Sequence, residues 1–302
     1  SRSCILGQRL LDEQALLHID HATVLKGENQ RVLNDISMTI QEGEHTVILG
    51  PNGSGKSSLI KLITRQDYPL VHPDRTPAML VYGRSRWDVF ALRALLGIVS
   101  ADMQQQLING FAHQEVSGLD VVVSGFFAST GLFPHQQVTP AMRQGGLEAL
   151  ARLEAAHLAS KAIAAMSTGE ARRLLIARAL VSHPRALLLD EPTTGLDLLA
   201  RQRFLESLRA LARGGTTLLL VTHHIEEVLP EIERVILLKE GRVFLDGPKA
   251  EVLQSQHLSA LYDAPIHIQQ DTAGYYNATI GNDAFTLAAT PAQVNGVLHR
   301  SA

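Results

Sequence analysis

One run of eight residues constrains this chain more than any other feature. Gly50, Pro51, Asn52, Gly53, Ser54, Gly55, Lys56 and Ser57, followed by Ser58, fit the pattern Gly-x-x-x-x-Gly-Lys-Ser/Thr. Each residue type has a chemical reason. The glycines let the backbone curl so that its N–H groups point at phosphate oxygens. Lysine neutralises the β- and γ-phosphates, and the hydroxyl of Ser57 ligates Mg²⁺. The pattern carries this meaning only between a strand and a helix. Residues 46–49 are an apolar run and residues 57–64 have an amphipathic, helical spacing, so the context is met. A nucleoside triphosphate and Mg²⁺ are the expected ligands.

Around this loop the chain reads as an α/β protein. Residues 16–20 and 31–40 resemble strands flanking a turn at 26–29, and residues 66–77, rich in Pro and Asp, resemble a loop. Residues 95–100 read as a short buried strand. From about 101 to 170 the texture changes to Ala, Leu and Gln at helical spacing, as in 142–156, which predicts a mostly helical subdomain. Apolar strands at 186–189, 216–221 and 235–239 then alternate with helices, which implies a largely parallel sheet. In the tail, Ile266 and Ile268, then Tyr276, Ala278 and Ile280, alternate as in a small hairpin.

Composition narrows the partners. The 302 residues are 45% hydrophobic and 19% charged, ordinary for a chain that buries a core. A formal net charge of −3 gives no support to an electrostatic nucleic-acid binder, so no nucleic-acid partner is expected. The single cysteine, Cys4, cannot form an intrachain disulfide. No stretch reaches the roughly 18 uncharged apolar residues of a membrane helix. The nearest, 121–133, is short and interrupted by Ser124, Gly125, Ser129, Thr130 and Gly131. No secretory signal opens the chain. A cytoplasmic location is expected, with any membrane role exerted through a partner.

Three further motifs carry chemistry. The apolar residues 186–189 end in Asp190 and Glu191. Beside a phosphate loop, Asp190 is expected to hold Mg²⁺ and Glu191 to polarise the attacking water. Ser167-Thr168-Gly169-Glu170 opens an amphipathic helix at 171–181. Ser-x-x-Glu is a capping box and needs no ligand, yet a helix N-terminus is also an anion site. Thr222-His223-His224 follows a strand, where ligands bind in parallel sheets. The histidines show no metal-ligand spacing, so no metal other than Mg²⁺ is expected.

The order of these motifs resembles the ABC (ATP-binding cassette) ATPase family over roughly residues 15–250. The resemblance implies a P-loop NTPase fold with an antiparallel β-subdomain and a helical subdomain, at about 101–170. Residues 251–302 then form an extension. It implies ATP as the nucleotide, ATP hydrolysis, and a head-to-tail homodimer formed on ATP binding. It further implies a separate membrane permease. By the same resemblance Ser167 and Gly169 close over the ATP of the other subunit. Asp197, in Thr194-Gly195-Leu196-Asp197, belongs to the turn that crosses the dimer interface, and His223 is the switch residue at the γ-phosphate.

The chain departs from the family pattern in three places. Met166, Thr168 and Glu170 replace letters of the usual Leu-Ser-Gly-Gly-Gln signature. The stretch Val24-Leu25-Lys26-Gly27 lacks the aromatic residue that stacks on adenine. The position of the family's nucleotide-sensing glutamine is Ala101; among Gln104, Gln105 and Gln106, Gln104 lies one helical turn on and is the expected substitute. Residues 98–104 and 120–127 resemble stand-alone members related to molybdate-transport ATPases. The alternative role is a cytosolic stand-alone ABC ATPase with a regulatory or nucleic-acid-related task. A single P-loop and the acidic charge count against it, and intact Glu191 and His223 count against a regulator with little turnover.

Overall fold

Alternating burial builds the first sheet. In β1, Leu17–Lys26, the side chains of Leu17, Ile19, Ala22 and Val24 are buried. In β2, Gln30–Ile40, those of Leu33, Ile36, Met38 and Ile40 are buried. The two strands pair antiparallel, with register shifts between residues 19 and 25 that move the apolar set without losing the inner face. This is a computed structural model, and it describes residues 15–100, 103–106, 109, 116–129, 132 and 135–281. Next come β3, Thr46–Leu49, and the helix α1, Lys56–Ile63. The short strand β4, Met79–Val81, pairs with the free side of β1, giving the order β2-β1-β4.

Contacts divide the chain into two compact units. One is built from Ser1–Arg86 with Val221–Ala302, the other from Trp87–Leu220. In the second unit α2, Val89–Leu95, starts at Asp88, whose carboxylate accepts the N–H groups of Phe90 and Ala91. The strand β5, Leu96–Val99, follows at once. Helices α3, Gly118–Val123, α4, Pro140–Ala151, and α5, Thr168–Leu180, pack on one another. Ser117, Thr139 and Ser167 cap them, each accepting a backbone N–H of the first turn. The buried strand β6, Ala186–Asp190, runs parallel to β5 with Leu96 opposite Ala186 and Val99 opposite Leu189. Apolar runs this continuous suit strands covered on both faces. Helix α6, Leu198–Arg213, and strand β7, Thr217–Thr222, close this part of the chain.

Back in the first unit, β8, Arg234–Lys239, pairs parallel with β3 and antiparallel with β9, Arg242–Pro248. Glu240 and Gly241 join them, at φ 49° and 71°, as a two-residue turn whose twist matches a hairpin. The sequence reading anticipated a largely parallel sheet; β9, β4 and α2 were not foreseen. Helices α7, Lys249–Val252, and α8, Ser255–Tyr262, lead to the hairpin β10, Ile266–Gln270, and β11, Tyr276–Ile280. That hairpin occupies the alternating segment of the tail. Among the described residues no helix is long and apolar enough to cross a membrane.

Candidate functional site

The eight-residue loop lies between the fully buried β3 and the first turn of α1. A Cβ on Gly50 would collide with the Leu238 carbonyl oxygen and lie 2.5 Å from Ser54 Oγ, so only glycine fits there. Gly55, the N-cap of α1, has φ 106°, and a Cβ on it would lie 3.0 Å from the Val32 carbonyl oxygen. The loop is tied down from below: the N–H of Gly241 donates to the Ser54 carbonyl at 2.8 Å.

Within this curl Lys56 is only 6% exposed, and its Nζ donates to the Gly50 and Pro51 carbonyls at 2.7 and 3.0 Å. The loop therefore wraps its own cation. No side chain caps the N-terminus of α1, and a helix terminus of this kind is where an anion binds. Ser54 Oγ is buried in the loop without a hydrogen-bond partner. An orphaned hydroxyl beside a buried cation is what a bound phosphate chain would satisfy. Asn52, Gly53 and Ser57 are exposed, and Ser58 is buried within reach of Lys26 Nζ at 3.5 Å. In the stretch 24–27 that lacks the aromatic, Val24 is buried and Lys26 pairs with Asp67 at 3.2 Å.

The carboxylate pair lies in the other unit. Leu187, Leu188 and Leu189 are completely buried and deliver Asp190 and Glu191 to the end of β6. Glu191 has φ 43°, the left-handed region that costs a non-glycine residue free energy. Its carbonyl accepts the N–H of Thr194 at 3.2 Å and Nη1 of Arg172 at 3.1 Å. Thr194 Oγ1 lies 3.5 Å from Glu191 Oε2. Among the described residues no cluster of three or more His, Cys, Asp and Glu could hold a metal by itself. The Ser57 hydroxyl in one unit and the Asp190 carboxylate in the other are each hard oxygen donors of the kind Mg²⁺ prefers.

Ser167 begins α5 with a complete capping box. Its Oγ accepts the Glu170 N–H at 3.3 Å, and Glu170 Oε2 accepts the Ser167 N–H at 2.7 Å. Lys161 Nζ donates to both Glu170 oxygens at 2.8 Å. These donors, Lys161 first and the Ser167 N–H second, hold the Glu170 carboxyl below its ordinary range. Gly169 packs against the turn after β6, its added Cβ meeting Leu196 Cδ2 at 3.4 Å and Ala200 Cβ at 3.6 Å. Asp197 in that turn caps α6, its Oδ1 accepting the Ala200 N–H at 2.8 Å.

Gln104 is buried at 6% exposure, and both ends of its amide are engaged inside the same unit. Oε1 accepts Arg172 Nε at 2.5 Å, and Nε2 donates to the Thr168 carbonyl at 3.2 Å. Gln105 instead bonds Asn109 at an exposed position. Ala101 lies outside the described residues. Sequence reading missed Arg172: it stands beside Arg173 in an apolar helix, and no local signal says which of the two points inward.

His223 follows β7, its ring 3.9 Å from that of His224. The Oη of Tyr262, in α8, donates to the His223 carbonyl at 3.3 Å. Burial, with Glu226 nearby, pushes the Tyr262 phenol up to about 12, so the hydroxyl stays a donor throughout the neutral range. Nothing in the sequence near residue 262 pointed to this contact.

Comparison with known proteins adds three findings. A profile of the family described as ABC transporter matches residues 33–194. The chain is 35% identical over 258 residues to an uncharacterized ABC transporter ATP-binding protein, YlmA of Bacillus subtilis. That alignment covers 84% of this chain and 93% of the relative. Among solved structures, it is similar to cbiO1 from Clostridium perfringens, described as part of the ABC transporter complex cbiONQ. The TM-score is 0.67 and the identity 28%, covering 82% of this chain and 94% of that one. It is also similar to a dimeric post-hydrolysis ATP-binding cassette bound to ADP and Pi. Here the TM-score is 0.61 and the identity 25%, over 77% and 98% of the two chains.

Proposed function

The chain belongs to the ABC transporter family as an ATP-binding subunit that hydrolyses ATP, and we propose that it does so with Mg²⁺ as a head-to-tail dimer driving a separate membrane permease. The observation that carries this reading is the phosphate loop itself. It combines a buried lysine, an uncapped helix N-terminus and an orphaned serine hydroxyl, and so holds donors that a triphosphate would use. Residues 15–250 form the cassette in this reading, and 251–302 an extension.

Each residue then has a task. The N–H groups of residues 50–58 and the Lys56 ammonium bind the phosphate chain. Ser57 and Asp190 hold Mg²⁺, which supplies neutralising charge at the phosphates. Glu191 orients and polarises the attacking water, and His223 contacts the terminal phosphate. Ser167 and Gly169, with Asp197 beside them, serve the nucleotide of the partner copy. The cbiO1 structure belongs to a multi-subunit transporter complex, and the post-hydrolysis cassette is dimeric; both support the proposed assembly. With no membrane-crossing helix among the described residues, the subunit would sit at the cytoplasmic face through its permease.

Glu191→Gln tests the reading. Removal of a positioned base lowers rates by typically ~10²–10⁴-fold. The variant should bind ATP with Mg²⁺, hydrolyse almost none, and double in mass by light scattering when ATP is added. Unchanged turnover would remove Glu191 from the reaction, and no ATP-dependent mass increase would reject the dimer.

A further inference from the structure

We infer that Arg172 and Gln104 are positioning residues for Glu191, locking its main chain to the first turn of the signature helix. This inference rests on the role proposed for Glu191 above. Arg172 is 2% exposed, and a guanidinium so deeply buried is tolerated only with directed hydrogen bonds. Two of them lead to functional elements. Nη1 donates to the Glu191 carbonyl at 3.1 Å, and Nε to Gln104 Oε1 at 2.5 Å. The amide of Gln104 continues the chain, its Nε2 donating to the Thr168 carbonyl at 3.2 Å.

Thr168 and Arg172 are four residues apart on α5 and share a face, so Gln104 spans one helical turn while Arg172 reaches on to β6. The linked atoms are Glu191 O, the Arg172 guanidinium, the Gln104 amide and Thr168 O. The charged donor makes its hydrogen bonds stronger than neutral ones. The target is strained: Glu191 holds φ 43°, and its carbonyl is fixed by two donors, Thr194 N–H and Arg172. Rotation of that peptide would swing the Glu191 side chain away from its water. Displacement of Thr168 at the signature loop would pull on the same chain through Gln104. The state of the signature loop and the aim of the base are thereby joined in one subunit.

The test uses the full-length protein and steady-state ATPase kinetics with melting curves. A misplacement of about 1 Å at a reacting group can cost on the order of 10²-fold. Arg172→Met should therefore lower kcat by roughly 10–100-fold, with KM for ATP within about threefold of wild type. Gln104→Leu should act in the same direction and more weakly, and the double variant should be no slower than Arg172→Met, as expected for groups in one chain of contacts. In the Glu191→Gln background, Arg172→Met should leave the residual rate unchanged while lowering Tm as it does alone. A purely structural arginine would slow both backgrounds alike, or lower Tm with kcat intact; either result overturns the inference. If Arg172→Met does not fold, Arg172→Lys, which keeps the charge but not the fork, provides the same comparison. A raised Mg²⁺ requirement in Gln104→Leu would place that amide at the cation instead and overturn its positioning role. Retained turnover in Glu191→Gln alone would strike the proposed function, a different result from any of these.

Discussion

Two helix N-termini in this chain serve, in the proposed function, the same kind of ligand, and they are built in opposite ways. Helix α1 begins with a left-handed glycine, no side-chain cap and a buried lysine folded back onto its loop. Helix α5 begins with a full capping box, in which Ser167 and Glu170 satisfy one another and Lys161 neutralises the glutamate. The first has no side-chain cap and leaves the Ser54 hydroxyl without a hydrogen-bond partner. In the second, the Glu170 N–H and the Ser167 N–H are already satisfied by the residues of the capping box itself. The difference suits a tight primary phosphate site on one side and a conditional, ATP-dependent contact on the other.

The largest effect expected from this contrast is at Lys56. Lys56→Ala removes the buried charge and both loop-closing hydrogen bonds. A hydrogen bond from a charged group to a phosphate oxygen is worth ~1.5–3 kcal/mol, and losing two of them should lower ATP affinity by at least about a hundredfold. Titration with a fluorescent ATP analogue measures it, and a fall of less than tenfold would show that the backbone N–H groups suffice. Gly55→Ala should come next. Left-handed backbone costs a residue with a Cβ roughly 1–2 kcal/mol. The crowding against Val32 O adds to that, so Tm should drop by several degrees and binding should weaken with it. An unshifted melt would mean that the loop has a second conformation open to alanine.

Smaller effects belong to α5. Ser167→Ala removes the cap at a cost of about 1 kcal/mol of stability. It should leave the affinity of a monomer for ATP unchanged while weakening ATP-induced dimerisation; equal losses in both would erase the contrast between the two termini. The smallest effect should come from Glu170→Gln, which keeps a capping box and loses the carboxylate's pairing with Lys161 at 2.8 Å and its longer contact with His157 at 3.9 Å. Because Lys161 and the Ser167 N–H lower the carboxyl's pKa in the folded state, its contribution is present above the unfolded carboxyl range and lost as pH falls through the lowered folded value. Melting curves of wild type and Glu170→Gln should therefore differ slightly at neutral pH and converge in acid. A gap that persists in acid would assign the effect to shape instead of charge.

The phosphate loop, the carboxylate-tipped strand, the capping box and the tail hairpin were all legible because each is written in consecutive residues. The strand limits of β3 follow from four buried residues in a row, Thr46 and three apolar ones, and α5 starts where Ser-x-x-Glu says it should. β9 was missed although Glu240-Gly241 is a recognisable two-residue turn, since its own pattern of half-exposed residues resembles a loop. α2 was missed for a related reason: among its described side chains only Leu92 is buried, so no apolar period marks it.

By itself the sequence determined the local chemistry: where a phosphate can bind, which carboxylates end a strand, which helix caps itself. These depend on backbone conformation and neighbours a few residues away. The tertiary structure alone decided that Arg172, not Arg173, turns inward, that Gln104 spends its amide on α5, and that Tyr262 reaches the His223 carbonyl. Those partners lie 68, 64 and 39 residues apart in the chain. A buried guanidinium or amide takes whichever acceptors the packed elements bring to it, and no pattern in consecutive residues encodes that meeting.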